Sequence, residues 1–173
     1  LLEVPRNRAT IRLCYMCIIN IMDYKTDVEK MEVALQQAKI AFDKNEVPVG
    51  AAIFDVNNKL ICANHNRREL ENNPVAHAEI LVLQEAAKIL NSWRLENTTL
   101  AVTLEPDAMC AGAIVVARVS KLIYGAPNLK AGAAYSLYNI PQDPRLNHHV
   151  EIKDNILTHE SEAILSSFFD SKR

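Results

Sequence analysis

The sequence has no large excess of either charge, few cysteines and no long apolar run, and each shortage excludes a class of protein. Its 19 basic and 21 acidic side chains leave a formal net charge of -2. That is too little positive charge for a polybasic coat that would hold nucleic acid or anionic lipid by charge alone, so any RNA partner must be gripped by a small local patch. Four cysteines, without an even ladder of spacings, suit a reduced intracellular protein better than a disulfide scaffold. The longest uncharged apolar run, residues 13–22, is roughly half of what a membrane span needs. Internal repeats and low-complexity stretches are lacking as well. What is present is the composition of one globular domain: 173 residues, 49% apolar and 23% charged, which leaves no room for a second large domain and supplies apolar surface for one core.

The first residues read as an extension. Arg6, Arg8 and Arg12 precede the apolar run 13–22 in the order of a secretory signal, but no small-x-small cleavage site follows, and Asp23 and Lys25 come at once. Cys14 and Cys17 form a C-x-x-C without a second ligand pair at zinc-ribbon distance. The expectation is that residues 1–21 stand outside the core with no role in the chemistry, and that residues 22–173 form a single domain.

Periodicity predicts the elements. Thr26 and Glu29 make a capping box, and Val28, Met31, Leu35, Ala38 and Phe42 recur at helical spacing to an end near Asn45. Residues 50–55 and 59–63 read as a hairpin joined through Val56, Asn57 and Asn58. A helix over 76–90 follows Pro74, a buried strand covers 98–103, and Pro106 opens an apolar helix over 108–118. A strand over 121–125 leads into a long ordered loop, 126–144, of the functional kind. A last strand within 150–157 and a helix capped by Thr158 or Ser161 close the chain. This order implies an α/β domain, a mixed sheet of about five strands with helices on both faces.

The chemistry concentrates at two helix starts. One carries Ala76-His77-Ala78-Glu79; the other, about thirty residues on, carries Glu105-Pro106-Asp107-Ala108-Met109-Cys110. Asp107 and Cys110 are three apart and so share a face of one helical turn, and converging helix N-termini give a positive field that favours a thiolate, a carboxylate and a metal-bound hydroxide. Each group also has an ordinary reading: a core histidine, a first-turn glutamate, or, for Asp107, a first-turn acid that competes evenly with ligation. Cys62, in a strand, reads as a small core residue.

Together with Glu46-Val47-Pro48-Val49-Gly50-Ala51, Asn66-Arg67, Thr103-Leu104-Glu105-Pro106, Met109-Cys110-Ala111-Gly112-Ala113 and Gly132-Ala133-Ala134 with Ser136, these segments resemble the bacterial tRNA-specific adenosine deaminases from Met22 to the C-terminus. The signature H-x-E followed by P-C-x-x-C is that of the zinc deaminases; here Asp107 stands where the first cysteine would be. The resemblance implies a three-layer α/β/α cytidine deaminase-like fold, a cytoplasmic homodimer, and conversion of the wobble adenosine of a tRNA anticodon to inosine. It further implies zinc held by His77, Asp107 and Cys110, Glu79 as the catalytic proton carrier, and a base pocket lined by Asn66 and the backbone around Val47 and Ala76. RNA contacts are expected from Asn128, Lys130, Ser136 and His148, with Tyr135 and Tyr138 offering stacking faces. Asn128 replaces the family's usual aspartate, and Arg68 its usual proline. Two alternatives stay open: a deaminase of free cytosine, cytidine or guanine, and a catalytically impaired tRNA-binding homologue with an altered zinc site.

Overall fold

The computed structural model describes residues 23–173; the expectations for residues 1–21, the Cys14–Cys17 pair among them, lie outside the described residues. Helix α1, Asp27–Asp43, begins at the capping box: the Thr26 side chain accepts from the Glu29 N–H, and the Glu29 carboxylate accepts from the Thr26 N–H at 2.8 Å. Strands β1 (Gly50–Phe54) and β2 (Leu60–His65) pair antiparallel. Helix α2, Ala78–Ile89, is followed by β3 (Thr99–Leu104), α3 (Ala108–Val116) and β4 (Lys121–Ala126). A 3-10 turn, Ile140–Gln142, short β5 (Glu151–Lys153) and α4 (Thr158–Asp170) complete the order.

The sheet runs β2-β1-β3-β4-β5, with β1 antiparallel to both neighbours and β3, β4 and β5 parallel. Because alternate side chains leave a strand on opposite faces, Ala51, Ile53, Leu100, Val102, Leu122 and Tyr124 pack with α2 and α3, whereas Ala52, Phe54, Ala101 and Ile123 pack with α1. Helix α4 also lies against α1 and β4, so the domain has three layers. Gly50 sits where β1 meets α1: a Cβ there would overlap the Ala34 carbonyl oxygen and the Ala38 nitrogen, so no larger residue lets the helix lie this close.

Four features differ from the sequence reading, and each has a physical cause. Helix α2 starts at Ala78, not at residue 76, because His77 is extended (φ -74, ψ 151) and acts as N-cap. Asp107 is the N-cap of α3 and not a first-turn acid: its side chain accepts from the Cys110 N–H at 2.9 Å. Neither Thr158 nor Ser161 caps α4. Leu157, with φ 55, takes the N-cap position, and the Thr158 hydroxyl donates to the Gly125 carbonyl instead. The last strand is three residues long, shorter than expected, because β5 pairs only with Lys121 to Ile123 of β4.

Candidate active site

His77 and Asp107, the N-caps of α2 and α3, face each other above the carboxyl ends of β3 and β4. His77 Nδ1 lies 3.3 Å from Asp107 Oδ2 and 3.5 Å from Cys110 Sγ, and one ligand atom from each of the three residues falls within 4.8 Å of the others. Among the described residues this is the one group of three histidine, cysteine or carboxylate side chains close enough to share a metal ion. Asp107 divides its oxygens: Oδ1 caps the helix and Oδ2 faces His77.

Glu79, in the first turn of α2, is 4% exposed. Burial pushes its carboxyl up to about 7, against a smaller lowering by its own backbone N–H and by His77. Burial and the two neighbouring carboxylates push the Cys110 thiol up as well. The hydrogen bond to His77 holds Asp107 down to about 2, and its counterpart raises His77. Both the thiol and the carboxyl resist ionisation chiefly because burial disfavours their charged forms.

A cavity of about 120 Å³ opens beside these groups, lined by Val47, Asn66, Arg68, His77, Glu79 and Asn128 among others. Asn66 is oriented from behind. Its Nδ2 donates to buried Glu46 at 3.2 Å, while the other Glu46 oxygen accepts from the Leu70 N–H at 2.6 Å. Only an N–H can face a carboxylate, so Glu46 decides which end of the amide points where. In the sequence, Glu46 and Glu105 stand out only as members of motifs, and Arg68 only as the replacement for a proline. The signal that could have found the glutamates is acidic side chains beside strand ends in otherwise apolar motifs.

The remaining expected positions divide. Val47 and Asn66 line the cavity. Ala76 is buried, and its backbone is used within the preceding loop, with its N–H donating to Asn73 and its carbonyl accepting from Arg67. Lys130 is exposed. The Ser136 hydroxyl donates inward to Glu105. His148 Nε2 meets the Val119 carbonyl at 2.7 Å, beyond the C-terminal end of α3, whereas Asp107 caps its N-terminal end. Tyr135 and Tyr138 are exposed. Cys62 is buried in the core, its thiol donating to the Val82 carbonyl.

The family model of the MafB19-like deaminases matches residues 25–173. The tRNA-specific adenosine deaminase of Bacillus subtilis (strain 168) is 46% identical over 143 residues, 83% of this chain and 88% of that protein. That of Rickettsia typhi (strain ATCC VR-144 / Wilmington) is 43% identical over 144 residues, covering 83% and 97%. The chain belongs to the tRNA-specific adenosine deaminase family. A solved structure from studies of A-to-I editing by transfer RNA deaminases at the wobble position superposes on this deaminase with a TM-score of 0.75 at 38% identity, covering 79% of this chain and 98% of the other. The guanine deaminase from Nitrosomonas europaea superposes at 0.73 with 20% identity over 97% and 96%, a likeness of fold. The deaminase has, among its described residues, no helix long and apolar enough to cross a membrane.

Proposed function

We propose that this chain catalyses the zinc-dependent hydrolysis of adenosine to inosine at the wobble position of a tRNA anticodon. The observation that carries the reading is a buried carboxylate, Glu79, on the wall of a cavity also lined by His77 and Asp107, two members of a donor cluster completed by buried Cys110. The spacing of that cluster fits zinc. Bonds of about 2.0–2.1 Å to nitrogen, 2.0–2.2 Å to oxygen and 2.3 Å to sulfur at tetrahedral angles put the donors about 3.3–3.5 Å (N to O) and 3.5–3.6 Å (N to S) apart. The 3.3 and 3.5 Å separations from His77 Nδ1 agree. His77, Asp107 and Cys110 would hold the ion through Nδ1, Oδ2 and Sγ. Bound zinc supplies Lewis acidity that brings a water's pKa down to about 7.

The chain's own groups then move the protons. Glu79 takes a proton from the attacking water and passes it to the ring nitrogen beside the amine-bearing carbon as the C–O bond forms. It then carries the remaining hydroxyl proton to the amine, and the C–N bond breaks to release ammonia. The products are inosine and ammonia, so one water is consumed and Glu79 ends as it began. Its place suits this shuttling, because the carboxyl is 4% exposed yet lines the cavity beside His77 and Asp107, which keeps the protons it takes away from bulk water. Asn66, fixed by Glu46, and the backbone near Val47 would read the polar edge of the flipped base. Lys130 and the exposed faces of Tyr135 and Tyr138 would receive the splayed loop. The reading includes a cytoplasmic homodimer, for which Ile89, Trp93 and Val116, exposed near the far ends of α2 and α3, offer apolar surface.

The test is a substrate comparison. An anticodon stem-loop with adenosine at the wobble position should be converted to inosine at a kcat/KM far above that for free adenosine, cytidine, cytosine or guanine. Equal or better turnover of a free base or nucleoside would overturn the RNA assignment in favour of small-molecule deamination.

A further inference from the structure

Glu105 is 1% exposed, yet no cationic side chain is among its hydrogen-bond partners. It follows the last residue of β3 and turns its carboxylate under the loop that leaves β4. Oε1 accepts from three consecutive backbone N–H groups, Ala134 at 3.2 Å, Tyr135 at 2.8 Å and Ser136 at 2.8 Å. Oε2 accepts from the Asn128 N–H at 2.9 Å and from the Ser136 hydroxyl. Five neutral donors from both ends of one loop therefore converge on a single carboxylate, as donors do around an anion in a backbone nest. Gly132 reports how close the approach is: a Cβ there would overlap both the carboxylate carbon and Oε2 of Glu105. The loop is also tied to the metal-side turn, because the Ala133 N–H donates to the Pro106 carbonyl at 2.8 Å and Gly132 bridges Asp107.

The same loop has Asn128 on the cavity wall and leaves Leu129, Lys130, Tyr135 and Tyr138 exposed. Within the loop, the Gly132 N–H donates to the Asn128 carbonyl at 2.7 Å and the Leu137 N–H to the Gly132 carbonyl at 3.0 Å; these bonds shape two separate turns, and the Glu105 carboxylate is the group that joins residue 128 to residues 134–136. Without the carboxylate, the donors would be left unpaired in a dry place, which favours a loop that opens to find water. The geometry points to Glu105 as the positioning residue that holds residues 127–138 in their substrate-binding shape beside the catalytic cavity. It acts through the loop and not on the reacting atoms, so its effect falls on substrate capture. This inference rests on the proposed RNA reading.

The experiment uses the full, metal-loaded chain with Glu105→Gln and the milder Ser136→Ala, which removes one donor of the five. Backbone hydrogen exchange is read without substrate, and kinetics are read on the anticodon stem-loop. In Glu105→Gln, amides of residues 128–136 should exchange at least about tenfold faster while those of β1 and β3 are unchanged. KM for the stem-loop should rise about tenfold with kcat within about threefold, and metal content should hold. Ser136→Ala should fall between variant and parent on both readouts, and it decides the matter if Glu105→Gln does not fold. Undiminished loop protection would overturn the inference, as would faster exchange spread evenly over β1 and β3, or a loss of kcat at constant KM. If the parent makes no inosine, the RNA reading fails and the exchange pattern alone judges Glu105.

Discussion

The two oxygens of Asp107 face different partners: Oδ2 stands 3.3 Å from His77 Nδ1, while Oδ1 accepts from the Cys110 N–H at 2.9 Å. A cysteine at this position could ligate through sulfur but would cap the helix poorly, so the aspartate supplies the N-cap and, in the proposed zinc site, would supply an oxygen ligand as well. The two roles separate by substitution. Asp107→Asn keeps an oxygen for the cap and loses the anionic ligand. Asp107→Cys does the reverse, and Asp107→Ala loses both. Unfolding of the metal-free proteins in urea should rank the parent and Asp107→Asn above the other two by about 0.5–2 kcal/mol. Chelator competition should give a different order, Asp107→Cys tightest, then the parent, then the rest, because thiolate selects zinc better than a hard oxygen does. Zinc affinity unchanged in Asp107→Ala would show that Asp107 is not a ligand.

Glu79→Gln should fold and bind zinc as the parent does while inosine formation falls by about a hundred- to ten-thousandfold, since an amide accepts no proton. The check pairs circular dichroism and metal analysis with turnover on the stem-loop. Activity within tenfold of the parent would mean that another group carries the protons.

How far these features could be read beforehand varied with their range. The capping box, the hairpin and the continuous apolar runs of β1 and β3 are local patterns, and they appear close to where the sequence puts them. His77, Glu79, Asp107 and Cys110 were legible as a group because two helix starts a fixed distance apart carry them. The N-cap role of Asp107 was not, because first-turn and capping acids look alike until the backbone angles are known. Glu46 and Glu105 were missed as organisers because most of their partners are backbone N–H groups, joined by the Asn66 amide and the Ser136 hydroxyl, from segments about 20 to 31 residues away, and backbone donors leave no mark in side-chain pattern. The short β5 and the Leu157 cap follow from tertiary pairing that propensity does not encode.

Asp27 anchors α1 to the sheet through Lys121 at 3.1 Å and Lys153 at 2.7 Å. Burial works to raise its pKa, but hydrogen bonds from Lys153 and Lys121 outweigh it and hold the carboxyl below its ordinary value. A depressed folded-state pKa stabilises the fold above the unfolded value of about 3.9, and that contribution is lost as pH falls through the folded value. Asp27→Asn should cost about 1–2 kcal/mol at pH 7, with the gap closing below about pH 4. Denaturant melts at both pH values test this, and a gap that widens in acid would contradict it.

Lys130 and Tyr135 should govern RNA capture. Lys130→Ala should weaken stem-loop binding and lower its salt slope by about one, and Tyr135→Ala should cost about 1–3 kcal/mol if a base stacks there. Titration of both variants at two salt concentrations checks this, and binding equal to the parent's at both would place the RNA elsewhere.

The proposed function requires that the His77, Asp107 and Cys110 cluster, with Glu79 beside it, be a working hydrolytic centre with an oxygen ligand in place of a second thiolate. The most direct measurement takes one preparation through three states, as purified, chelator-stripped and zinc-restored, and records zinc per chain and inosine formed from the anticodon stem-loop in each. The predicted result is inosine formation that tracks zinc up to one ion per chain and returns on restoration. Full activity in the stripped protein, or none in a protein carrying one zinc per chain, would contradict it.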